Sequence, residues 1–189
     1  MVIDIGSSAN ADFGFDCRNT IIDLTNPADG TGFLDSFSVW ARQTASSGAK
    51  VGTCFNDSGS YFTVRDQTTL GAITAGSKQI FTGKHVEVTS TDYLGSYYIN
   101  GQGSWGPGGS GCYYTNEGVD YFTAGSHTYN WVSGNAVAVY ATGSTLAAPT
   151  VTTQAASSVT GSSMTGNGTV TGNGGASLTE KGICYKVGW

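Results

Sequence analysis

Aromatic side chains with polar neighbours are the residues of this 189-residue chain best suited to contact a ligand. They concentrate between residues 93 and 131. A flat ring beside amide groups matches a sugar, which presents an apolar C–H face and a rim of hydroxyls. We therefore predict a site that binds glycans. The predicted stacking residues are Trp105, Tyr98, Tyr114 and Tyr121, and the predicted hydrogen-bonding residues are Asn100 and Gln102.

The same aromatic residues can also be interpreted as core packing. Tyr97 and Tyr98 are adjacent, so they point to opposite faces of a strand, and the tyrosine pair at 113–114 does the same. About half of the set would then lie inside the protein. Trp105 is the strongest single candidate for a ligand contact, because a tryptophan in a Gly/Pro-rich segment has few core partners. A glycan patch and packed tyrosines both remain open interpretations here.

Acidic residues and histidines could hold a metal ion. His85 and Glu87 alternate onto one strand face and could share a metal with a third ligand, although such a pair is more often a solvated strand face. Several scattered aspartates could supply oxygen ligands for Ca²⁺, but the chain has no EF-hand loop. We predict no metal site, with structural calcium as the alternative. The aspartates are Asp12, Asp16, Asp66, Asp92 and Asp120.

Catalytic motifs give little support for an enzyme. The segment GQGSWG at 101–106 matches the glycine pattern of a dinucleotide-binding loop. That loop must open a helix, which holds the pyrophosphate, and GPGGSG follows instead. The chain has no GxSxG motif, nothing positions His85 or His127 beside a nucleophile, and a glycosidase would need scattered acids brought together by the fold. We predict a protein that is not an enzyme and has no cofactor.

Charge and hydropathy limit the partners. Eight Lys and Arg against thirteen Asp and Glu give a net charge of −5 without a basic stripe, so we expect no nucleic-acid partner. Apolar runs are shorter than the ~20 residues that span a bilayer, so we expect no membrane insertion. The first ten residues lack the features of a signal peptide. We therefore expect one of two locations. The protein is either part of a virion, which leaves its cell by lysis, or a protein of the cell surface or exterior whose given sequence begins after a cleaved signal peptide.

The cysteines lie far apart, without a CxxC or Cys/His metal spacing. We predict that each is a small buried hydrophobe. One disulfide among the first three is the alternative, and the sequence does not select the pair. The four residues are Cys17, Cys54, Cys112 and Cys184.

Period-two alternation predicts the elements that position these side chains. Residues 78–100 read as a hairpin with a polar turn at 89–92, and the Gly/Pro-rich segment 101–111 reads as a long loop. Roughly nine or ten short strands with no amphipathic helix predict an all-β protein, a β-sandwich of the jelly-roll kind over residues 1–142. The further predicted strands are 21–25, 33–42, 51–55, one from 62, 112–115, 121–122, 129–132 and 136–141.

Composition changes after residue 142. Residues 143–148 read as a linker and 149–189 as a new unit, rich in Ser, Thr, Gly and Ala, whose only charged residues are Glu180, Lys181 and Lys186. Within 148–185, the pieces PTVTT, TGNGTVT, GG and TEKGICY resemble the opening half of an immunoglobulin-like or fibronectin-III-like repeat. Such repeats occur in bacterial surface proteins and in phage or metagenomic structural proteins.

The preceding block resembles a β-sandwich module often found before those repeats, through AKVGTCF, FTVRD, LGAITAGSKQIFT and DYLGSYY. That module carries no activity, so the resemblance implies a non-catalytic virion or surface protein. Together with the aromatic residues, it favours a carbohydrate-binding module. The alternative is a structural subunit of a phage particle or extracellular fibre that assembles through β-strand contacts without a ligand.

An immunoglobulin-like unit needs ~100 residues, and residues 149–189 are fewer than half of that. We expect either that the chain is cut from a longer protein or that its last strands pair with a neighbouring subunit, since unpaired β edges seek partners.

Overall fold

A computed structural model describes residues 1–10, 12–175 and 178–184. The all-β prediction is confirmed, since every regular element in these ranges is a β-strand. No helix that could cross a bilayer is found among them. The strands are β1 (Val2–Gly6), β2 (Phe15–Cys17), β3 (Ile21–Asp23), β4 (Gly32–Gln43), β5 (Ala49–Ser58), β6 (Tyr61–Thr69), β7 (Lys78–Phe81), β8 (Val86–Val88), β9 (Tyr93–Tyr98), β10 (Gln102–Tyr114), β11 (Ser126–Thr128), β12 (Asn130–Val137), β13 (Val139–Thr145), β14 (Thr150–Ser157) and β15 (Thr165–Gly172).

The chain forms two compact units, Met1–Thr145 and Leu146–Trp189. The sequence placed the end of the first domain at residue 142, and strand β13 continues three residues further, to Thr145. In the second unit, β14 and β15 pair antiparallel, with Val151 opposite Val170. Residues 176–177 and 185–189, which include Tyr185 of the repeat-like motif, lie outside the described residues.

Two antiparallel sheets build the first unit. The first sheet has the order β1-β13-β4, with β7 and β8 on the other edge of β4. The second has the order β10-β3-β9-β5-β6-β11, with β12 and β2 also paired to β10. The sheets join where Gln102 and Gly103 of β10 pair with Gln43 and Ala41 of β4. Strand β10 therefore pairs with strands of both sheets.

The main core lies between the two sheets. Ile5, Phe37 and Val139 of the first sheet pack with Ile21 and Leu94 of the second in one cluster of fully buried side chains. Each such side chain contributes ~1.5–3 kcal/mol by leaving water. This packing confirms the β-sandwich, while the jelly-roll strand order and the immunoglobulin-like character of the second unit remain predictions.

A smaller aromatic cluster covers the outer face of the second sheet. Ile22, Cys54, Phe62 and Tyr129 are buried there, and partly exposed rings surround them. Alternation along β10 explains the division, because it directs Tyr114 into the sandwich and Tyr113 to this outer cluster. We call this group the outer aromatic cluster.

The predicted hairpin over residues 78–100 is wrong. Strands β7 and β8 pair with β4 in the first sheet, whereas β9 lies between β3 and β5 in the second. The chain changes sheets at the predicted polar turn, where the Asp92 amide donates to the Thr89 carbonyl at 2.9 Å. Alternation indicates which face of a strand is buried, but not which strand pairs with it.

The predicted loop over residues 101–111 is also wrong, because most of it belongs to the thirteen-residue strand β10. The glycines allow close packing here. A Cβ on Gly103 would lie 2.3 Å from Cε2 of Tyr98, and one on Gly111 would lie 2.2 Å from the Trp131 ring. Pairing with β12 shifts between Pro107 and Gly111, so the strand is irregular in the middle.

Three of the cysteines confirm the prediction of small buried hydrophobes. Cys17, Cys54 and Cys112 are buried, whereas Cys184 is exposed. None of these four described cysteines is in a disulfide bond, so the disulfide alternative is not formed. Burial raises the pKa of the Cys17 thiol to about 12, and it raises the pKa values of Cys54 and Cys112 as well.

Candidate functional site

Three of the six predicted site residues line one cavity. Gln102, Trp105 and Tyr114 all belong to β10, and they border a space of about 450 Å³ together with Arg18 and Glu117. We call this space the Trp105 cavity. It lies at the edge of the sandwich, where β2 pairs with the first half of β10.

Trp105 is held in a fixed position at the wall of this cavity. Its indole N–H donates to the carbonyl oxygen of Asp16 at 2.9 Å, and its ring lies 6.4 Å from the Phe15 ring. The Tyr114 ring lies 6.0 Å from the Trp105 ring, tilted by 41°. Both Trp105 and Tyr114 remain partly exposed. Two aromatic rings are therefore presented together in a preset geometry.

Gln102 is only 6% exposed, and neighbouring charges occupy its amide. In the orientation that satisfies both neighbours, its nitrogen donates to the Asp16 carboxylate at 2.7 and 3.0 Å, and its oxygen accepts from Nη2 of Arg18 at 3.0 Å. The amide therefore positions Asp16 and Arg18, and we assign it this role in place of a direct contact with hydroxyls.

Arg18 and Glu117 form the rim, and no pattern in the sequence pointed to either residue. The Nη1 atom of Arg18 lies 3.2 Å from Oε1 of Glu117, and both side chains are more than half exposed. The Gly118 amide donates to the Arg18 carbonyl at 3.1 Å, and the Asn19 side chain donates to the Thr115 carbonyl at 2.8 Å. The loop after β10 is thereby attached to the chain after β2. Only the fold brings together residues so distant in sequence.

Asn100 and Tyr98 border a second space of about 350 Å³, which Arg18, Tyr97 and Gly118 also line. We call it the Asn100 cavity. Asn100 is exposed, but Tyr98 is 2% exposed and its hydroxyl donates to the Trp40 carbonyl at 3.4 Å. Burial raises the pKa of Tyr98. Tyr98 therefore belongs to the core and presents no free ring face for stacking.

Tyr121 lies apart from the other predicted residues. Its ring stacks on His127, with centroids 4.2 Å apart and planes at 18°, and meets Tyr129 edge-on at 5.4 Å. It belongs to the outer aromatic cluster. The predicted site thus divides into a group of three residues at the Trp105 cavity, two residues at the Asn100 cavity and Tyr121 elsewhere.

The aspartates considered for calcium are bonded to protein groups. Asp12 and Asp16 lie 3.3 and 3.4 Å from Nε of Arg42, and Asp92 is 2.6 Å from Nε of Arg65. Asp66 accepts from the Glu87 amide at 2.8 Å, and Asp120 pairs with Lys50. In the part of the chain that the structure describes, no three His, Cys, Asp or Glu residues are grouped as metal ligands. The His85 ring stacks on Phe33 at 3.8 Å.

A short loop before β2 is bonded to Ser104, the residue that precedes Trp105 in β10. The Ser104 hydroxyl donates to Asp12 at 2.6 Å and accepts from the Phe13 amide at 2.7 Å. The bond from Ser104, together with the Gly14 amide and the nearby charge of Arg42, holds the pKa of Asp12 below its usual value. The carboxylate therefore stays ionised and fixes this loop against β10.

Comparison of the chain with protein-family models, with curated proteins and with solved structures gave no match.

Proposed function

We propose that this protein is a non-catalytic carbohydrate-binding module that binds a glycan in the Trp105 cavity. One observation carries the proposal: the Trp105 and Tyr114 rings are held 6.0 Å apart at the wall of a cavity with a polar rim. Aromatic faces take the apolar side of a sugar, and surrounding polar groups take its hydroxyls.

The fixed position of the rings supports binding. The bond from the indole N–H to the Asp16 carbonyl sets the Trp105 rotamer before a ligand arrives. A preset side chain loses little conformational entropy on binding, so more of the contact energy appears as affinity. The cavity is open, and few ligand atoms would be buried. We therefore expect a dissociation constant between ~1 mM and ~1 μM, about −4 to −8 kcal/mol.

The experiment is a glycan array probed with the purified protein, Trp105→Ala and Trp131→Ala. Trp131 is a matched control, because it is a half-exposed tryptophan next to the outer aromatic cluster, 5.3 Å from the Tyr113 ring. We expect Trp105→Ala to lose binding and Trp131→Ala to keep it. Binding by Trp105→Ala equal to that of the unmodified protein would overturn this site. An arm with EDTA tests the calcium alternative, which predicts loss of binding on chelation.

The second unit favours a different function, a structural subunit of a phage particle or an extracellular fibre. Every residue of β14 is exposed, and residues 150–172 contain no charged side chain. Proteins usually protect strand edges with charges or proline, so an uncharged, exposed hairpin is suited to pairing with another strand. Size-exclusion chromatography and negative-stain microscopy at two concentrations separate the proposals: filaments or rings favour assembly, and a monomer favours the binding module.

The sequence resemblance to modules of virion and cell-surface proteins supports a location at such a surface. A glycan-binding module there would attach the particle or the cell to a polysaccharide. The partner we propose is therefore a surface glycan.

A further inference from the structure

The Trp105 cavity and the Asn100 cavity are neighbours that share a wall. Arg18 lines both of them. At two places in the chain, adjacent residues line different cavities. Gly101 and Gly118 line the Asn100 cavity, whereas their neighbours Gln102 and Glu117 line the Trp105 cavity. The Arg18 side chain therefore separates two parts of one groove.

Arg18 is held across the groove from both sides. Its Nη1 meets Glu117 at 3.2 Å, and its Nη2 donates to the Gln102 oxygen at 3.0 Å. Gln102 is in turn fixed by the Asp16 carboxylate. The Nε atom of Arg18 donates to the same Gln102 oxygen, so three of the five guanidinium N–H groups are used and two remain for a ligand. They lie at the junction of the two cavities.

We propose that the groove binds an uncharged oligosaccharide with at least two sugar rings, one in each cavity, and that Arg18 donates to hydroxyls at the junction. This inference rests on the proposed carbohydrate-binding function. The Trp105 cavity takes the ring that stacks on Trp105. The Asn100 cavity takes the next ring, beside Tyr97 and the Asn100 amide.

The sizes of the cavities support more than one ring. At about 450 and 350 Å³, each lies near the lower end of the ~300–1,000 Å³ range of small-molecule sites. Each is therefore suited to one small ring, and a longer ligand must extend from one into the other. Such a ligand gains contacts in both cavities at the cost of immobilising one molecule, which favours oligosaccharides over monosaccharides.

The charges around the groove support a neutral ligand. Arg18 is paired with Glu117, and Arg42 lies between Asp12 and Asp16. These three carboxylates against two guanidiniums leave an excess of negative charge. An acidic sugar would meet repulsion and would have to displace a carboxylate to reach either arginine, whereas a hydroxyl accepts from Arg18 without breaking its ion pair.

The test uses arrays of neutral glucose, mannose, galactose and N-acetylglucosamine oligosaccharides, from the monosaccharide to the hexasaccharide, with an oligogalacturonate series as the acidic comparison. Calorimetry then measures the affinity for each member of a bound series. We expect the disaccharide to bind at least ~10-fold more tightly than the monosaccharide, which is about 1.4 kcal/mol. We expect the oligogalacturonates to bind more weakly than the neutral series.

Variants of the Asn100 cavity separate this inference from the proposed function. Tyr97→Ala and Asn100→Gly should reduce the affinity for the disaccharide more than the affinity for the monosaccharide, so the preference for longer sugars should fall. Glycine suits position 100, because Asn100 has a φ of 52°. Trp105→Ala should lose binding of every length. Circular dichroism of each variant before calorimetry verifies that it is folded.

Four outcomes would overturn the inference. Equal affinity for all lengths, or a length preference that Tyr97→Ala and Asn100→Gly leave unchanged, contradicts the second subsite while the proposed function stands. Tighter binding of the oligogalacturonates contradicts the neutral ligand. No binding to any series contradicts both this inference and the proposed function.

Discussion

The rings of Trp105 and Tyr114 lie 6.0 Å apart, although the two residues are nine positions apart on the same strand. A straight strand between these positions would be about 30 Å long. The rings meet because β10 bends in the irregular stretch between Pro107 and Gly111. The glycine-rich segment thus builds the aromatic wall of the Trp105 cavity.

Gly108→Ala tests this bend. Gly108 has a φ of 126°, which an L-residue with a side chain rarely adopts, so alanine should destabilise the fold by ~1–3 kcal/mol. It should also weaken glycan binding, because the two rings would separate. Urea unfolding measures the loss of stability, and calorimetry measures the loss of glycan affinity.

Gly71→Ala is the control for this prediction. An added Cβ there makes only an ordinary contact with Phe81 at 3.7 Å, and we expect a change in stability within ~0.5 kcal/mol. Equal stability of the two variants would contradict the account of the bend.

The partly buried ion pair of Arg65 with Asp92 should stabilise the fold more than the exposed pair at the groove. Asp92 is 2% exposed and bonds Nε and Nη2 of Arg65 at 2.6 and 3.0 Å. Asp92→Asn should cost about 3 kcal/mol, because it breaks a buried pair. Glu117→Gln, which removes the exposed partner of Arg18, should cost ~0–1 kcal/mol. Urea unfolding compares the two variants, and a larger cost for Glu117→Gln would refute this order.

The Asp12 carboxyl should titrate below its usual range, chiefly because the Ser104 hydroxyl donates to it. A lowered pKa in the folded state means that the stabilising contact is present at neutral pH and is lost as the pH falls through that lowered pKa. Ser104→Ala should therefore raise the pKa of Asp12. Carboxyl-carbon NMR titration measures it, with the exposed Ser133→Ala as control. An Asp12 titration that Ser104→Ala leaves unchanged would contradict the assigned cause.

Thiol reactivity should separate the cysteines. Cys184 is exposed, whereas Cys17, Cys54 and Cys112 are buried and their pKa values are raised. Only the thiolate reacts, so we expect one thiol per folded chain to react with a chromogenic disulfide near neutral pH. All four should react in denaturant. Fast reaction of more than one thiol in the folded protein would contradict the described core.

The sequence was a good guide to burial on single strands. Alternation along the predicted strand 33–42 puts Phe37, Val39 and Ala41 on one face, and all three are fully buried. Alternation along the predicted hairpin 78–100 likewise puts Ile80 on the same face as Val86 and Val88, but Ile80 is 59% exposed. The reason is that these residues lie on two separate strands, β7 and β8, so one period does not run through both.

The sequence did not predict the strand pairing or the charged residues at the rim of the site. Trp105 was predicted as a ligand contact from its glycine-rich surroundings, but those glycines form a strand. Arg18 and Glu117 carry no local pattern, since an ion pair between distant positions depends on the path of the whole chain. Alternation left Tyr97 and Tyr98 interchangeable, and the packing of the two sheets against each other decided that the Tyr98 ring is the buried one.

The most direct measurement of the central claim is the NMR signal of each tryptophan indole N–H during titration with a sugar that the array shows to bind. Trp→Phe variants assign the signals. Binding in the Trp105 cavity predicts that the Trp105 signal shifts with a saturating dependence on sugar concentration, while the Trp131 signal stays in place. A shift at Trp131 with an unchanged Trp105 signal would contradict the proposed site and move binding to the outer aromatic cluster.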